Sequence, residues 1–217
     1  MTILLRESLS DRIAAILQER IVAGEFANDS PLRQDELATE FGVSKIPLRE
    51  AFAKLEQAGL VTSEINRGFF VRPLSTEEAR DVFDLRLRIE PDACVRGAER
   101  ANEDDIAQAR KALDGLNEAV LGHRSSAGPL NRAFHMALVR PAALPISKHM
   151  LERLHVIAER YVVCHLVPKG RSERAENEHG AIFEAWLARD AERLRRLCHD
   201  HIAATWSDLR TEIGDET

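Results

Sequence analysis

The feature that most restricts the fold is a pair of short amphipathic helices separated by a single glycine turn. Gln34–Phe41 has helical spacing and is followed by Gly42, a residue type that ends helices. Ser44 is a good N-cap for a second helix, which tolerates Pro47 in its first turn and runs to Gly59. Two helices joined by a tight turn that contains glycine form a helix-turn-helix.

Short extended runs after the second helix predict a two-stranded wing. Leu60–Ser63 and Phe69–Arg72 have the composition of strands, and Asn66-Arg67-Gly68 between them supplies turn residues. An amphipathic helix over residues 8–24 precedes the helix pair, and the polar residues 28–31 are expected to form a turn.

The rest of the chain has helical periodicity throughout. Ser75 with Glu78 three residues later is a capping-box pattern for the first of its helices, in which Pro91 should produce a kink or a break. Short connections between the helices favour antiparallel neighbours. The sequence therefore predicts a mainly α fold, with a winged helix-turn-helix domain over residues 1–74 and an all-α antiparallel helical bundle over residues 75–217. The expected bundle helices are 76–99, 103–121, 128–140, 146–166, 172–189 and 191–213.

Composition limits the class of protein. No apolar run approaches the ~20 residues of a membrane-spanning helix, so we expect a cytoplasmic protein without a membrane partner. The net charge of -6 argues against a protein that coats nucleic acid, which needs a broad basic surface. Any contact with DNA must be focal. Three cysteines without a CxxC pair suggest neither a disulfide framework nor a thiolate zinc site.

The start of the second helix is the expected DNA-reading surface. A helix-turn-helix inserts this helix into the major groove, where residues near its N-terminus meet bases and phosphates. Those residues are Ser44, Lys45, Ile46 and Arg49, and Arg67 at the tip of the wing could enter an adjacent groove. Outside a helix-turn-helix, we would interpret these cations as ordinary solvent-exposed charges.

Three histidines of the helical region are predicted to face its interior. Asn131 and His135 are four residues apart and project from one face of a helix. His179 and His201 lie on the buried stripes of two further helices, whereas His199 falls on a polar face. Imidazoles held on separate helices suit a divalent transition metal such as Zn, Ni, Fe or Mn. Spacing alone leaves open whether they converge or are hydrogen-bonded core residues.

The stretch DELATEFGVSKIPLREAFAKLEQAGLVTSEINRGFFV, residues 35–71, resembles the GntR superfamily of bacterial regulators, in its FadR-like branch. The order of helix, turn, LREA helix, Gly-Leu and RG wing carries this resemblance. It implies a transcription regulator, expected here to be a repressor, that binds double-stranded operator DNA as a homodimer. The DNA-contact positions that it implies are Ser44, Lys45, Ile46, Arg49, Arg67 and Gly68.

The helical region resembles the FCD-type ligand domain of the same branch. LNRAFH at 130–135, ENEH at 176–179 and CHDHI at 198–202 match the pattern of its metal-binding members. The resemblance implies that the metal ligands are Asn131, His135, His179 and His201. A neutral amide at position 131, where Asp also occurs, would leave the site more positive.

Arg86 is the expected effector-binding residue. It lies on the apolar stripe of the first bundle helix, where a charge is costly unless it is paired. Glu90, one turn later, could simply neutralise it. The alternative, which the family resemblance favours, is that Arg86 binds the carboxylate of a small organic acid, such as a hydroxy acid, dicarboxylate or sugar acid, that also reaches the metal. Binding of this effector is expected to change operator affinity.

Two other functions compete with an effector-responsive regulator. Three histidines and an open coordination position also describe a metal-dependent hydrolase, which needs a general base beside the metal. Glu178 and Asp200 are the nearest carboxylates in sequence, and both should point about 100° away from the inward face. We therefore expect a protein that is not an enzyme. The second alternative is a regulator whose histidines are purely structural.

Overall fold

The computed structural model describes residues 8–121, 127–165 and 172–213, and its contacts divide the chain between Leu74 and Ser75. Ser8 opens the first helix with a capping box, because its hydroxyl accepts from the Asp11 N–H and the Asp11 carboxylate accepts from the Ser8 N–H. Each of the two units has its own buried apolar side chains. The elements of the first unit are α1 (Leu9–Val22), β1 (Pro31–Leu32), α2 (Gln34–Phe41), α3 (Lys45–Gln57), β2 (Val61–Glu64) and β3 (Gly68–Val71).

The helix-turn-helix and its core are as predicted. Gly42 ends α2 in the left-handed conformation that favours glycine, and Ser44 is the N-cap residue of α3. Leu48, Phe52 and Leu55, all predicted to face inward, are at most 1% exposed. Their burial fixes one face of α3 against the rest of the unit and leaves the opposite face in solvent.

The wing contains a third strand that the sequence did not predict. β2 pairs with β3 in antiparallel register, from Val61 opposite Val71 to Glu64 opposite Gly68. On the other side of β3, Pro31 pairs with Phe70, so residue 31 belongs to a strand rather than to the predicted turn. A two-residue strand is too short for side-chain alternation to reveal, and its proline fits an edge position, where no N–H is needed.

The second unit is all helical in its described residues. Its fold class agrees with the prediction, and the helix bounds agree to within a few residues at each end. A 3₁₀ turn, Arg140–Ala142, follows the third bundle helix. The helices are α4 (Thr76–Arg100), α5 (Glu103–Leu121), α6 (Ala127–Val139), α7 (Pro145–His165), α8 (Ser172–Leu187) and α9 (Ala191–Ile213).

The start of α4 is held by a phenol as well as by its own cap. The Ser75 hydroxyl accepts from the Glu78 N–H at 3.1 Å, which is one half of the predicted capping box. The other half is absent, because the Ser75 N–H donates to the Tyr161 hydroxyl of α7 at 3.0 Å. That hydroxyl lies 2.9 Å from the Glu78 carboxylate, to which it can donate. A tertiary contact has therefore replaced a local one.

The central helix α4 continues through Pro91, so of the predicted kink or break the break does not occur. Proline inside a helix costs ~3 kcal/mol, because it lacks the N–H and its ring crowds the preceding turn. Pro91 is buried, as are Glu90, Ala93 and Cys94 around it. Packing on several sides of α4 offsets the local cost and keeps the helix continuous.

Gly97 brings α4 close to α6 and α8. A Cβ added at Gly97 would approach the Leu138 carbonyl oxygen more closely than the 3.0 Å below which real Cβ atoms essentially never come. The same carbonyl accepts a hydrogen bond from the Trp186 indole at 3.2 Å. Three helices thus meet at one backbone group. In the described ranges no helix has the length and apolarity needed to cross a membrane.

Candidate functional site

Three of the predicted ligand residues meet inside the helical unit. His135 on α6, His179 on α8 and His201 on α9 are each at most 7% exposed. One ring nitrogen of each lies within 4.8 Å of those of the other two. The ring centroids are 4.7 to 5.3 Å apart. The inward orientation was visible in the sequence, whereas the convergence of the three helices is visible only in the structure.

The hydrogen bonds of the three rings leave nitrogens available for a metal. His135 Nδ1 lies 3.0 Å from Glu90 Oε1, and His201 Nδ1 lies 2.7 Å from Glu178 Oε2. Among the described residues, Nε2 of His135 and Nε2 of His179 are buried and have no hydrogen-bond partner. Buried nitrogens without partners are costly, and a carboxylate on the far nitrogen is the usual support of a metal-bound imidazole. The donor set therefore fits a divalent transition metal.

The protonation state of the cluster also fits metal binding. Burial lowers the pKa of His135 to about 3, and burial together with the neighbouring His201 lowers the pKa of His179 well below its usual range. Both rings are therefore neutral near pH 7, and a neutral imidazole has the lone pair that a metal requires.

Sequence reasoning missed a second cluster around the carboxylate of Glu90. His155 on α7 is 3% exposed, and its Nε2 lies 3.1 Å from Glu90 Oε1. Glu90, His135 and His155 could also hold an ion by proximity alone. However, Glu90 already accepts from Arg86 through two nitrogens, at 2.8 and 3.3 Å, and that guanidinium would repel a cation. The signal for His155 was available, since Leu151, Leu154 and Ala158 define the same buried stripe.

The ionised carboxylate of Glu90 contacts Arg86, His135 and His155. Burial would raise its pKa, but the charge of Arg86 and then His155 hold the pKa of Glu90 well below its usual range. The carboxylate therefore pairs with Arg86 and orients His135. Glu90 therefore neutralises Arg86, which is one of the two roles that the sequence left open. Arg86 also lines the cavity beside the histidines.

A cavity of about 570 Å³ opens from the histidine cluster. Asn131, predicted as the fourth ligand, is half-buried on α6 one turn before His135 and lines this cavity. His155, His179 and His201 line it as well. Its volume lies within the range of ligand-binding pockets, ~300 to 1,000 Å³.

The two carboxylates weighed as general bases differ in position. Asp200 is exposed and lies 3.4 Å from the exposed His199, so it is turned away from the site as predicted. Glu178 is not turned away from the site, contrary to expectation: it lines the cavity and accepts from His201. A further ion pair with Arg174 at 3.3 Å holds Glu178 as a support for the ring.

The predicted DNA-reading residues are exposed on the first unit. Ser44, Lys45, Ile46 and Arg49 all lie on the open face of α3, and Ile46 is 70% exposed. Lys45 pairs with Asp35 of α2 at 2.5 Å, in solvent, where such a pair contributes little.

The tip of the wing, between β2 and β3, is also exposed to solvent. Arg67 is exposed, pairs with Glu64 and lies over the Phe70 ring at 5.1 Å. Gly68 has a φ of 100°, which turns the chain into β3. Ile65 beside them is 91% exposed, an apolar side chain that sequence reasoning did not single out.

A winged helix-turn-helix unit together with a helical unit that holds a ligand-sized cavity points to a transcription regulator. Residues 9–71 match the family described as bacterial regulatory proteins, gntR family, and residues 81–204 match the FCD domain. The chain belongs to the GntR family of transcription regulators and carries an FCD domain. This family consists of regulators, so the prediction of a regulator over a hydrolase is confirmed.

Known proteins are similar to this chain over most of its length. It is 30% identical over 203 residues to the uncharacterized HTH-type transcriptional regulator BphR of Paraburkholderia xenovorans, covering 89% of this chain and 82% of that protein. It is also 30% identical over 203 residues to the HTH-type transcriptional repressor GlaR of Escherichia coli, covering 86% and 89%. The structure of E. coli McbR/YncC has the same fold, with a TM-score of 0.84 at 21% identity, over 96% of this chain and 100% of that one.

Proposed function

We propose that this protein is a metal-dependent repressor of the FadR-like branch, which binds operator DNA as a homodimer and responds to a small carboxylate. The observation that carries the proposal is the convergence of three buried imidazoles beside a ligand-sized cavity. The relative GlaR is named a repressor, which supports this direction of control. We keep residues 1–74 as the DNA-binding domain and residues 75–217 as the effector domain.

The DNA-binding part of the proposal rests on the exposed face of α3 and on the wing. Ser44, Lys45, Ile46 and Arg49 would enter the major groove, with Arg67 and Gly68 against the neighbouring backbone or groove. Buried Leu48 and Phe52 hold the other face of α3, so these side chains are presented by a rigid element.

A charge-reversal pair tests this surface. We expect Arg49→Glu to weaken binding to a duplex selected by the parent protein by ten-fold or more, because one base or phosphate contact contributes ~1–3 kcal/mol. Arg12→Glu makes the same charge change on an exposed position of α1 and should bind more nearly like the parent. Equal affinities for the parent and Arg49→Glu would refute the assignment of this face.

The metal part assigns His135, His179 and His201 as ligands, with Asn131 as the fourth. When bound, a divalent metal would act as a Lewis acid that holds an anion in its open positions. None of the four proposed donors carries a negative charge, so no ligand neutralises the ion directly, which favours an anionic effector in its open positions. Arg86 has guanidinium donors beyond the two used by Glu90 and can share that anion.

A buried and an exposed histidine test the assignment of the metal ligands. We expect His179→Ala to abolish the rise in melting temperature that a divalent metal produces in chelator-stripped protein. His199→Ala, an exposed histidine of α9, should keep it. Retention of the shift in His179→Ala would favour the alternative of structural histidines.

Dimerisation follows from the geometry expected of operator binding, since paired half-sites call for a two-fold assembly. Light scattering on the purified protein, alone and with the selected duplex, measures it. Two chains per duplex support the proposal, and one chain per duplex contradicts it.

A further inference from the structure

Ile46 is a large apolar side chain that the fold leaves in solvent at the start of α3. It is the second residue of this helix and is 70% exposed. A single exposed isoleucine on an ordinary surface requires no explanation. Ile46, however, lies among the DNA-reading residues, and its side chain has no hydrogen-bonding group to offer to a base or a phosphate. Any contact that it makes with DNA is therefore apolar.

The direction in which Ile46 projects follows from the buried face of α3. Leu48, Ala51, Phe52 and Leu55 define that face, and each is at most 1% exposed. At about 100° per residue, Ile46 projects roughly 170° away from the centre of these four side chains. It therefore occupies the middle of the outward face in the first turn, where a helix-turn-helix brings side chains to the base edges.

Two cations accompany Ile46 on this face. Lys45 precedes it and Arg49 follows three residues later, and both are exposed. Contacts of such cations with phosphates or guanines fix the register of a helix on DNA. Side chains three residues apart are ~5–6 Å from each other, and successive bases of a strand are ~3.4 Å apart. Ile46 should therefore face a base one or two steps from the group that Arg49 contacts.

The major-groove edges of the bases differ in what they offer to an apolar side chain. Thymine presents its C5 methyl group, whereas the distinguishing groups of adenine, guanine and cytosine are hydrogen-bond donors and acceptors. An isoleucine pressed against a polar edge would remove water from it without replacing the lost hydrogen bonds. Against a thymine methyl group, the same side chain buries apolar surface on both partners.

We propose that Ile46 recognises the C5 methyl group of one thymine in each half-site of the operator. This inference rests on the proposed function and deepens it, because it assigns a base preference to one residue of the DNA-reading face. Burial of one methyl group should raise the affinity by roughly three- to four-fold. Contributions from well-separated positions add in free energy, so two half-sites together should give roughly ten- to fifteen-fold.

Removal of the methyl group from the DNA tests the inference. A duplex is selected from a random pool by the full-length protein, and each of its thymines is then replaced in turn by deoxyuridine. This replacement keeps the base pair and removes only the C5 methyl group. Fluorescence anisotropy should show a three- to four-fold loss of affinity at one thymine in each half-site, and roughly ten- to fifteen-fold when both are replaced. Unchanged affinity at every thymine would overturn the inference.

Three variants assign the effect to Ile46. Ile46→Ser removes the apolar side chain and should bind the thymine and deoxyuridine duplexes equally, whereas Ile46→Val should keep a preference for thymine. Ile16→Ser makes the same change at a side chain of α1 that is 47% exposed, and should keep the full preference. Both positions are in solvent, so these variants are expected to fold. A preference for thymine that is as large in Ile46→Ser as in the parent would mean that another residue contacts the methyl group, and the inference would be wrong.

Arg49→Glu separates the inference from the function on which it rests. If Arg49→Glu weakens binding to the selected duplex and deoxyuridine has no effect, the DNA-reading face is supported and the role of Ile46 is wrong. If no duplex is selected, or if Arg49→Glu binds like the parent, the proposed face and the inference are both wrong.

Discussion

Gly97 gives the sharpest prediction about the helical domain, because a single added methyl group meets backbone there. In Gly97→Ala the new Cβ would clash with the Leu138 carbonyl oxygen, lie 3.2 Å from the carbonyl carbon and come 3.5 Å from Trp186 Nε1. Rotation of a side chain cannot relieve this, so α4 must move away from the end of α6 until the contact is 3.4 Å or longer.

The change in the free energy of unfolding of Gly97→Ala is the sum of two opposing effects. Overpacking a core costs ~1–3 kcal/mol, and a clash with backbone belongs at the upper end of that range. Alanine is favoured over glycine inside a helix by ~1 kcal/mol. The free energy of unfolding should therefore fall by about 2 kcal/mol, which lowers the melting temperature by roughly 4–8 °C for a chain of this size.

Tryptophan fluorescence isolates the domain concerned, because both tryptophans, Trp186 and Trp206, lie in the helical unit. Urea unfolding followed by this signal measures the loss. Gly180→Ala on α8 is the matched control: its Cβ meets nothing within 4 Å, so the substitution should stabilise by up to ~1 kcal/mol. Unfolding of Gly97→Ala at the same urea concentration as the parent would refute the close approach of α4 and α6.

Three further perturbations probe other parts of the molecule. Tyr161→Phe leaves the Ser75 N–H without its partner and should cost ~1–2 kcal/mol in urea unfolding. Burial raises the pKa of Tyr161, the single tyrosine, so the unfolded chain loses its phenolic proton first and parent stability should fall above about pH 10, a loss absent in Tyr161→Phe. Glu178→Gln weakens the support of His201 and should lower metal affinity 10–100-fold in competition with a chelating dye, and an unchanged affinity would contradict this support. Leu48→Ala, at a fully buried position, should destabilise the DNA-binding unit by ~2–5 kcal/mol in circular dichroism, without shifting the tryptophan transition.

Most helices of this protein were predictable because their causes are local. Apolar side chains recur at helical spacing, and residues such as Ser44 and Gly42 mark the ends of helices. The same local geometry oriented His135, His179 and His201 toward the interior and put Arg86 within one turn of Glu90.

Other features required the packed chain, because each depends on residues distant in sequence. β1 exists only through its pairing with β3, and the N–H of Ser75 finds its partner on α7. Continuity of α4 through Pro91 likewise depends on the side chains packed around it.

The amino-acid sequence by itself determined which faces of the helices are apolar, which side chains share those faces, and the order of a winged unit and a helical unit. Only the tertiary structure decided that three of those faces bring one ring nitrogen of each imidazole within 4.8 Å of the others, that His155 and Glu90 join them, and that a cavity opens beside them. The physical reason is that helical periodicity specifies direction around one axis, whereas the neighbour that each face meets is decided by packing of the whole domain.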